Sequence, residues 1–263
     1  MKICVLVKEV PDAAVEKRLD PGSKRLDRSG ETTLNQFDTH AIEAAMQIRE
    51  GGVEVEEIVA VTMAPADAGR TLNKAVALGA DRSVHLTDAA LAGSDVCATG
   101  YALAKVLESE SPDLVLLGQQ SADGECYTIG AVVADHLKMP SLTQVIKLDV
   151  EDDKLRCERQ AEYGYDTVSV ELPAVISVGD AINEPRYPSL KAIMGAKKKP
   201  RDVRSIGDVG IEDGRVGEEG SQTAVLAINP PPQKAAGEII EDEDTNETVE
   251  RVVAWLEERK LLA

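Results

Sequence analysis

Rings are scarce in this chain: 263 residues hold seven aromatics, with one Phe (Phe37) and one Trp (Trp255). An interior built on them is excluded, so the core must be aliphatic, which suits a Val-, Ile- and Leu-rich parallel sheet. Histidine and cysteine are equally thin. His40, His85 and His136 are scattered and offer little material for a His-based metal site or a catalytic triad. Cys4, Cys97, Cys126 and Cys157 show no CxxC spacing, which argues against a disulfide framework and a zinc site and fits free thiols in a reducing cytoplasm. Basic residues are outnumbered, 29 Lys+Arg against 47 Asp+Glu, for a net charge of -18. Such a balance repels phosphate backbones and anionic lipid, so neither nucleic acid nor membrane is expected as a partner of the whole chain. A local island at Lys197, Lys198, Lys199 and Arg201 can still act on its own. No apolar run approaches bilayer length. The opening MKICVLVKEV has no small-residue cleavage site after it and reads as a first strand, not as a signal peptide. Neither GxGxxG nor GxxxxGK[ST] occurs, so a dinucleotide fingerprint and a P-loop are both absent.

What is present alternates. KICVLVKEV (2–10), EEIVAVTMA (56–64), RSVHLTD (82–88) and DLVLLGQ (113–119) have strand length and strand residues. Between them, Ala41, Ala44, Ala45 and Ile48, then Leu72, Ala75 and Val76, then Tyr101, Leu103 and Leu107, then Ile129, Val132 and Val133 recur at helical spacing. This order predicts an α/β fold with a parallel sheet covered on both faces and right-handed crossovers. From residue 142, LTQVIKLDV, KLRCERQA, DTVSVEL and AVISVGD are strands with short turns, EDDK (151–154) is a hairpin tip, and antiparallel strands are expected at a sheet edge. Residues 201–236, with NPPPQKAAG, carry no periodic pattern and are expected to be extended. DTNETVERVVAWLEERKLLA then predicts a helix capped by Thr245 or Asn246, with Val249, Val252, Val253 and Leu256 on one stripe.

Open α/β sheets bind ligands beyond the carboxyl ends of their strands. The segments there are VKEVPD, TMAPADAG, TDAALAGSD and GQQSADGECYTIG. Each alone reads as an ordinary βα turn, but the last has too many amides, hydroxyls and small residues for a bare connector, and it leads into a helix start, where anions bind. A nucleotide-like ligand is expected at that edge. Catalytic groups are poorly supported: Asp123 and Glu125 read as a solvated acidic loop, Cys126 has no evident base, and His40 packs or caps. In NEPRYPSLKAIMGAKKKP (183–200), Pro185 and Pro188 precede three apolar side chains, Leu190, Ile193 and Met194, rimmed by lysine. That is the make-up of a docking anchor; a loop tucked onto the chain's own surface is the alternative.

The segments VKEVPD (7–12), NQFDTHAIEAA (35–45), ALGADRSVHL (77–86), DLVLLGQQSADGE (113–125) and LPAVISVGDAINEPRYPSLKAIMGAKKKP (172–200) resemble the beta subunits of electron transfer flavoproteins. The resemblance runs from residue 1 to about 200 and is weaker beyond. It implies a Rossmann-like domain of the adenine nucleotide alpha hydrolase type over residues 1–182, a partner-recognition loop over 183–200, and an arm and helix over 201–263 that pack on an alpha subunit. It implies an electron carrier and not an enzyme: the alpha subunit holds most of one FAD, acyl-CoA or related dehydrogenases supply electrons, and a quinone oxidoreductase or another acceptor takes them. AMP is implied in this subunit's own domain, or a second FAD where a member bifurcates electrons. The positions that match are Val7, Asn35, Phe37, Asp38, Thr62 and Met63, with Gln119, Asp123, Gly124, Cys126, Thr128 and Ile129. Phe37 also matches an aromatic near the flavin ring, while Ala13 departs from an aromatic seen nearby in some members. LAGSDVCAT (91–99) and ADGE (122–125) resemble the bifurcating group and Cys126 the AMP-binding type, which is the expectation here. By the same match Leu190 plugs a pocket on the dehydrogenase, with Ile193 and Met194 beside it. A stand-alone adenine-nucleotide-binding protein, the rival, calls for an HxGH-like or SGGxDS-like loop, and neither occurs.

Overall fold

Successive side chains of the first strand point to opposite faces of a sheet, Ile3 and Val5 to one and Cys4 and Leu6 to the other, and all four are buried. The computed structural model describes residues 1–229, 232, 236, 237, 239 and 244–262. In chain order come β1 (Lys2–Leu6), β2 (Glu9–Pro11), β3 (Leu19–Asp20), β4 (Arg25–Leu26), β5 (Thr32–Leu34) and α1 (Gln36–Glu50). Then follow β6 (Glu57–Met63), α2 (Gly69–Leu78), β7 (Arg82–Leu86), α3 (Val96–Glu110), β8 (Leu114–Gly118) and α4 (Ile129–Leu137). Next are β9 (Ser141–Glu151), β10 (Lys154–Ala161), β11 (Gly164–Glu171), β12 (Ala174–Val178), α5 (Leu190–Ala196), β13 (Arg201–Arg204), α6 (Gly217–Gly220) and α7 (Thr245–Glu258).

Among the described residues nine strands form one sheet in the order β11-β10-β9-β12-β8-β1-β6-β7-β13. The seven from β9 to β13 are parallel, and β10 and β11 are antiparallel at one edge. The four early strands therefore fall where the sequence predicts. The antiparallel extension is narrower than expected, because β12 runs parallel between β8 and β9. Its five residues are buried on both faces, as a central strand requires, whereas β10 and β11 alternate. The tip at EDDK is as expected, with β9 ending at Glu151 and β10 starting at Lys154.

The first run divides in two. After Val7, whose N–H still donates to Val61 O, the Lys8 N–H donates to the Asp38 carboxylate and the chain leaves the sheet; β2 then pairs with β5. One core layer lies under α1 and α2, and the other under α3 and α4. The second layer also takes in Val209, Ile211 and Val216, and β13 lengthens the sheet, so residues 201–221 pack on the domain through these side chains and this strand, where a segment without a buried pattern was expected. The Asp208 and Tyr101 side chains help seat this stretch: Asp208 accepts from Ser205 and the Tyr101 hydroxyl accepts from the Glu212 N–H.

The chain divides into two units, Met1–Leu226 and Ala227–Ala263. Most of NPPPQKAAG lies outside the described residues. In the second unit α7 is a helix as expected, but its cap is Asp244, whose carboxylate accepts from the Asn246 N–H. Val249, Val252 and Val253 are exposed on it. Among the described residues no helix is long and apolar enough to cross a membrane.

Candidate functional site

The chain runs outward from β1 to β6 and β7, then returns to place β8 on the other side of β1. The order reverses there, and in such sheets the crevice at the reversal is the ligand site. A cleft of about 380 Å³ opens at this point. Val7, Met63 and Gln119 line it from the ends of β1, β6 and β8, and Asn35 and Asp38 from the start of α1. Gly124, Cys126 and Ile129 complete it from the loop before α4. The floor is apolar, with Leu6, Val61, Leu103 and Leu117, and the rim carries amides and hydroxyls.

Asn35 is 1% exposed and works with both ends of its amide: Nδ2 donates to Gln120 O (2.8 Å) and Oδ1 accepts from the Ala122 N–H (3.1 Å). It fixes the ligand-side loop to the start of α1. Asp38 does the same for the strands, accepting from the N–H groups of Lys8 (2.8 Å) and Gly118 (3.2 Å). Gly118 makes this approach possible, since a Cβ there would stand 2.6 Å from the Phe37 backbone carbon and 2.7 Å from Asp38 Oδ1. Burial pushes the Asp38 carboxyl up to about 7, and the two backbone hydrogen bonds offset only part of that rise. Because this value lies above the ordinary 3.8, the group's contribution to stability is complete below 3.8 and is lost as pH rises through about 7. Carbon-13 NMR of the carboxyl is expected to show Asp38 still protonated at about pH 5; titration at the ordinary value would contradict the dry setting.

Four predicted residues stand beside the cleft instead of lining it. Phe37 is half-buried at the start of α1, and Thr62 is 2% exposed within β6. Thr128 precedes α4 and makes no side-chain cap, which leaves that helix start open to an anion. Asp123 is not the solvated carboxylate expected from the sequence. Its side chain is 1% exposed and is held by Lys8 Nζ (2.9 Å) and by Arg28. Burial presses its pKa up, and these two cations with Ser121 outweigh it, holding the carboxyl well below its usual range. Lys17 Nζ donates to Ala122 O (2.8 Å), so three cations clasp one short loop. In that loop Glu125 and Tyr127 adopt left-handed backbone, with φ of 46° and 57°. Gln120 Oε1 is buried there without a partner among the described residues. Strain and an unmet acceptor in one loop fit a segment shaped around a ligand.

Sequence reasoning did not single out Lys8 and Gln120. Ser94, Asp95, Val96 and Thr99, which line the cleft from the start of α3, fall within TDAALAGSD and LAGSDVCAT, the stretches that the sequence reading set at this site without naming their residues as ligand positions.

The segment 183–200 sits apart from the cleft and is tied to α1. Arg186 pairs with Glu43 (2.7 and 2.9 Å) and with Glu50 (2.6 and 2.9 Å), and Asn183 Nδ2 donates to His40 O (3.0 Å). Beyond this base Ser189 caps α5, its Oγ accepting from the Ala192 N–H (3.2 Å). Leu190 is 78% exposed, Met194 68% and Ile193 46%. Tyr187, unremarked in the sequence although an aromatic between two prolines is a signal, is 97% exposed. The basic island is smaller than expected: Lys199 Nζ donates to Ala80 O (2.8 Å) and Arg201 to Gly69 O and Asn73 Oδ1 (both 2.8 Å).

Residues 24–208 match the electron transfer flavoprotein domain. The chain is 40% identical to an electron transfer flavoprotein subunit beta of Mycobacterium tuberculosis, over 99% of both chains. It is 36% identical to the caffeyl-CoA reductase-Etf complex subunit CarD of Acetobacterium woodii, over all of both, and 36% identical to the subunit beta of Bos taurus, over 98% of this chain and 97% of the relative. Whole-length identity at this level, on a sheet with its cleft at the strand reversal, means that the chain belongs to the electron transfer flavoprotein beta-subunit family.

Proposed function

We propose that this chain is the beta half of a cytoplasmic electron-carrying heterodimer, in which an alpha subunit holds most of one FAD, this subunit holds AMP, and the loop at Leu190 receives the donor dehydrogenase. The observation that carries the nucleotide reading is the cleft at the strand reversal, with an apolar floor suited to a purine and an uncapped α4 beside it suited to a phosphate. At about 380 Å³ the cleft is near the small end of ligand sites and suits one nucleotide better than a dinucleotide. The flavin supplies the redox chemistry when bound. This chain's residues bind and position: Asn35 holds the ligand loop, Asp38 holds the strand ends at Lys8 and Gly118, Phe37 stands at the head of α1 as one wall toward the flavin, and α5 presents Leu190. Electrons would come from an acyl-CoA or related dehydrogenase and leave to a quinone oxidoreductase or another acceptor.

A second reading, a second FAD in place of AMP, is favoured by one feature: the cleft continues over Ser94, Asp95, Val96 and Thr99 at the start of α3, which gives length for a longer ligand. CarD, a relative whose name places it in a reductase-Etf complex, makes this reading worth testing. Co-expression with the alpha subunit, purification, and release of the ligands decides between them. One FAD and one AMP per heterodimer is the expected count. Two FAD without AMP would move the reading to bifurcation, and no nucleotide at all would overturn it.

A further inference from the structure

One carboxylate joins the cleft to a distant part of the chain. Asp95 caps α3, its Oδ1 accepting from the Ala98 N–H (2.9 Å). Its Oδ2 accepts three more bonds, from the N–H groups of Gln222 (2.8 Å) and Thr223 (2.9 Å) and from Thr223 Oγ1 (2.9 Å). The Asp95 N–H donates to Ser221 Oγ (2.9 Å), and Ser221 Oγ donates to Gly217 O (2.7 Å). The Gly217 N–H then returns to the cleft wall, donating to Ser94 Oγ (2.8 Å). Ser94 and Asp95 both line the cleft. The segment seats directly on backbone: Gly217 has φ +70°, and a Cβ there would stand 2.4 Å from Ala90 O. Arg25, from the hairpin of β3 and β4, pairs with Glu218 at the same joint.

A helix cap needs one oxygen and one donor. Here the second oxygen collects three donors that lie 127 and 128 residues away in sequence. Burial presses the Asp95 pKa up, and the bonds from Ala98, Thr223 and Gln222 outweigh it, so the group stays an anion.

We infer that residues 217–223 are a working part of the nucleotide cleft, coupled to it through Asp95 as a positioning residue. The segment orders the wall at Ser94 and Asp95, and an occupant that packs against this wall orders the segment. The inference rests on the reading that the cleft binds a nucleotide. By linkage the two effects are reciprocal: what the segment adds to nucleotide affinity, the nucleotide returns as protection of the segment.

The test uses the heterodimer, stripped of nucleotide and titrated with AMP. Asp95→Asn keeps the shape and the capping oxygen but turns an NH2 toward donors. Thr223→Val replaces only the hydroxyl with a methyl, at an exposed residue, and keeps the backbone N–H bond to Asp95. Each is expected to weaken AMP about tenfold, a coupling of ordinary size between two linked sites. In the unmodified complex, AMP is expected to slow hydrogen exchange at residues 217–223, a ligand-dependent readout that a merely structural role would not move. Unchanged AMP affinity together with faster exchange at 217–223 in the variants would overturn the coupling. If the unmodified complex binds no AMP, the proposed function fails separately. Exchange at residues 93–96 then decides the joint: faster in Thr223→Val upholds it, unchanged overturns it.

Discussion

On the proposed docking role, replacing Leu190 with Asp is expected to slow reduction of the heterodimer by a donor dehydrogenase about 100-fold, with FAD content and thermal midpoint unchanged. The size follows from where the side chain stands. Leu190 begins α5 at 78% exposure, so it makes little contact within its own subunit and its loss costs the fold little. Its base is rigid, because Arg186 holds both Glu43 and Glu50 on α1. An apolar anchor presented on a fixed support gives binding energy without an ordering cost. Truncating such an anchor costs about 2–4 kcal/mol in interfaces, and a carboxylate in its place adds an unpaired charge in an apolar pocket. The helix itself tolerates the change, since an acidic residue in the first turn suits the helix dipole. Stopped-flow reduction with the dehydrogenase in excess measures the effect. An unchanged rate would show that the partner docks elsewhere, and a lost FAD would show that the loop braces the flavin.

The strands were legible because buried parallel strands are written as continuous aliphatic runs. β12 is the limiting case: it reads as a strand from its residues, yet nothing local says that it inserts between β8 and β9 in parallel. Residues 205–221 were opaque for another reason. Val209, Ile211 and Val216 are isolated plugs, and the turns that aim them depend on Gly210 and Gly217 in left-handed backbone, which leaves no period to read. The burial of Asp123 was equally hidden, because its cations Lys8 and Arg28 lie 115 and 95 residues away in sequence. Residues that build the site through backbone contacts, such as Asn35 and Gly118, have partners that only the assembled sheet brings near. For Asn35 the resemblance to a family supplied what periodicity did not, and Gly118 was named by neither.

The opposite edge of the sheet depends on Glu110, and Glu110→Ala is expected to cost about 3 kcal/mol, a fall of roughly 6–10 °C in thermal midpoint. Glu110 ends α3 with its side chain 3% exposed, and it meets Lys2 Nζ at 2.8 Å, Arg82 Nη2 at 2.5 Å and Arg204. A carboxylate at a helix C-terminus opposes the dipole, so its place there depends on these three cations. They tie the start of β1, the start of β7 and β13 to one point. Removing the anion leaves three cations facing each other with side chains only 17–23% exposed. Breaking a buried pair costs about 3–5 kcal/mol, and this partial contact with water sets the lower figure. Glu57 and Asp202 remain as second partners of Arg82 and Arg204 and limit the damage. The pH dependence separates charge from packing. Burial presses the Glu110 pKa up, and the bonds from Arg82, Lys2 and Arg204 bring it from 4.5 down to about 2. A depressed carboxylate gives its full contribution above 4.5 and loses it as pH falls through about 2. The gap between the unmodified protein and Glu110→Ala, read as thermal midpoints of the heterodimer, should therefore be widest at neutral pH and narrow steadily below 4.5. A gap that stays constant with pH would assign the loss to packing and remove the ionic account.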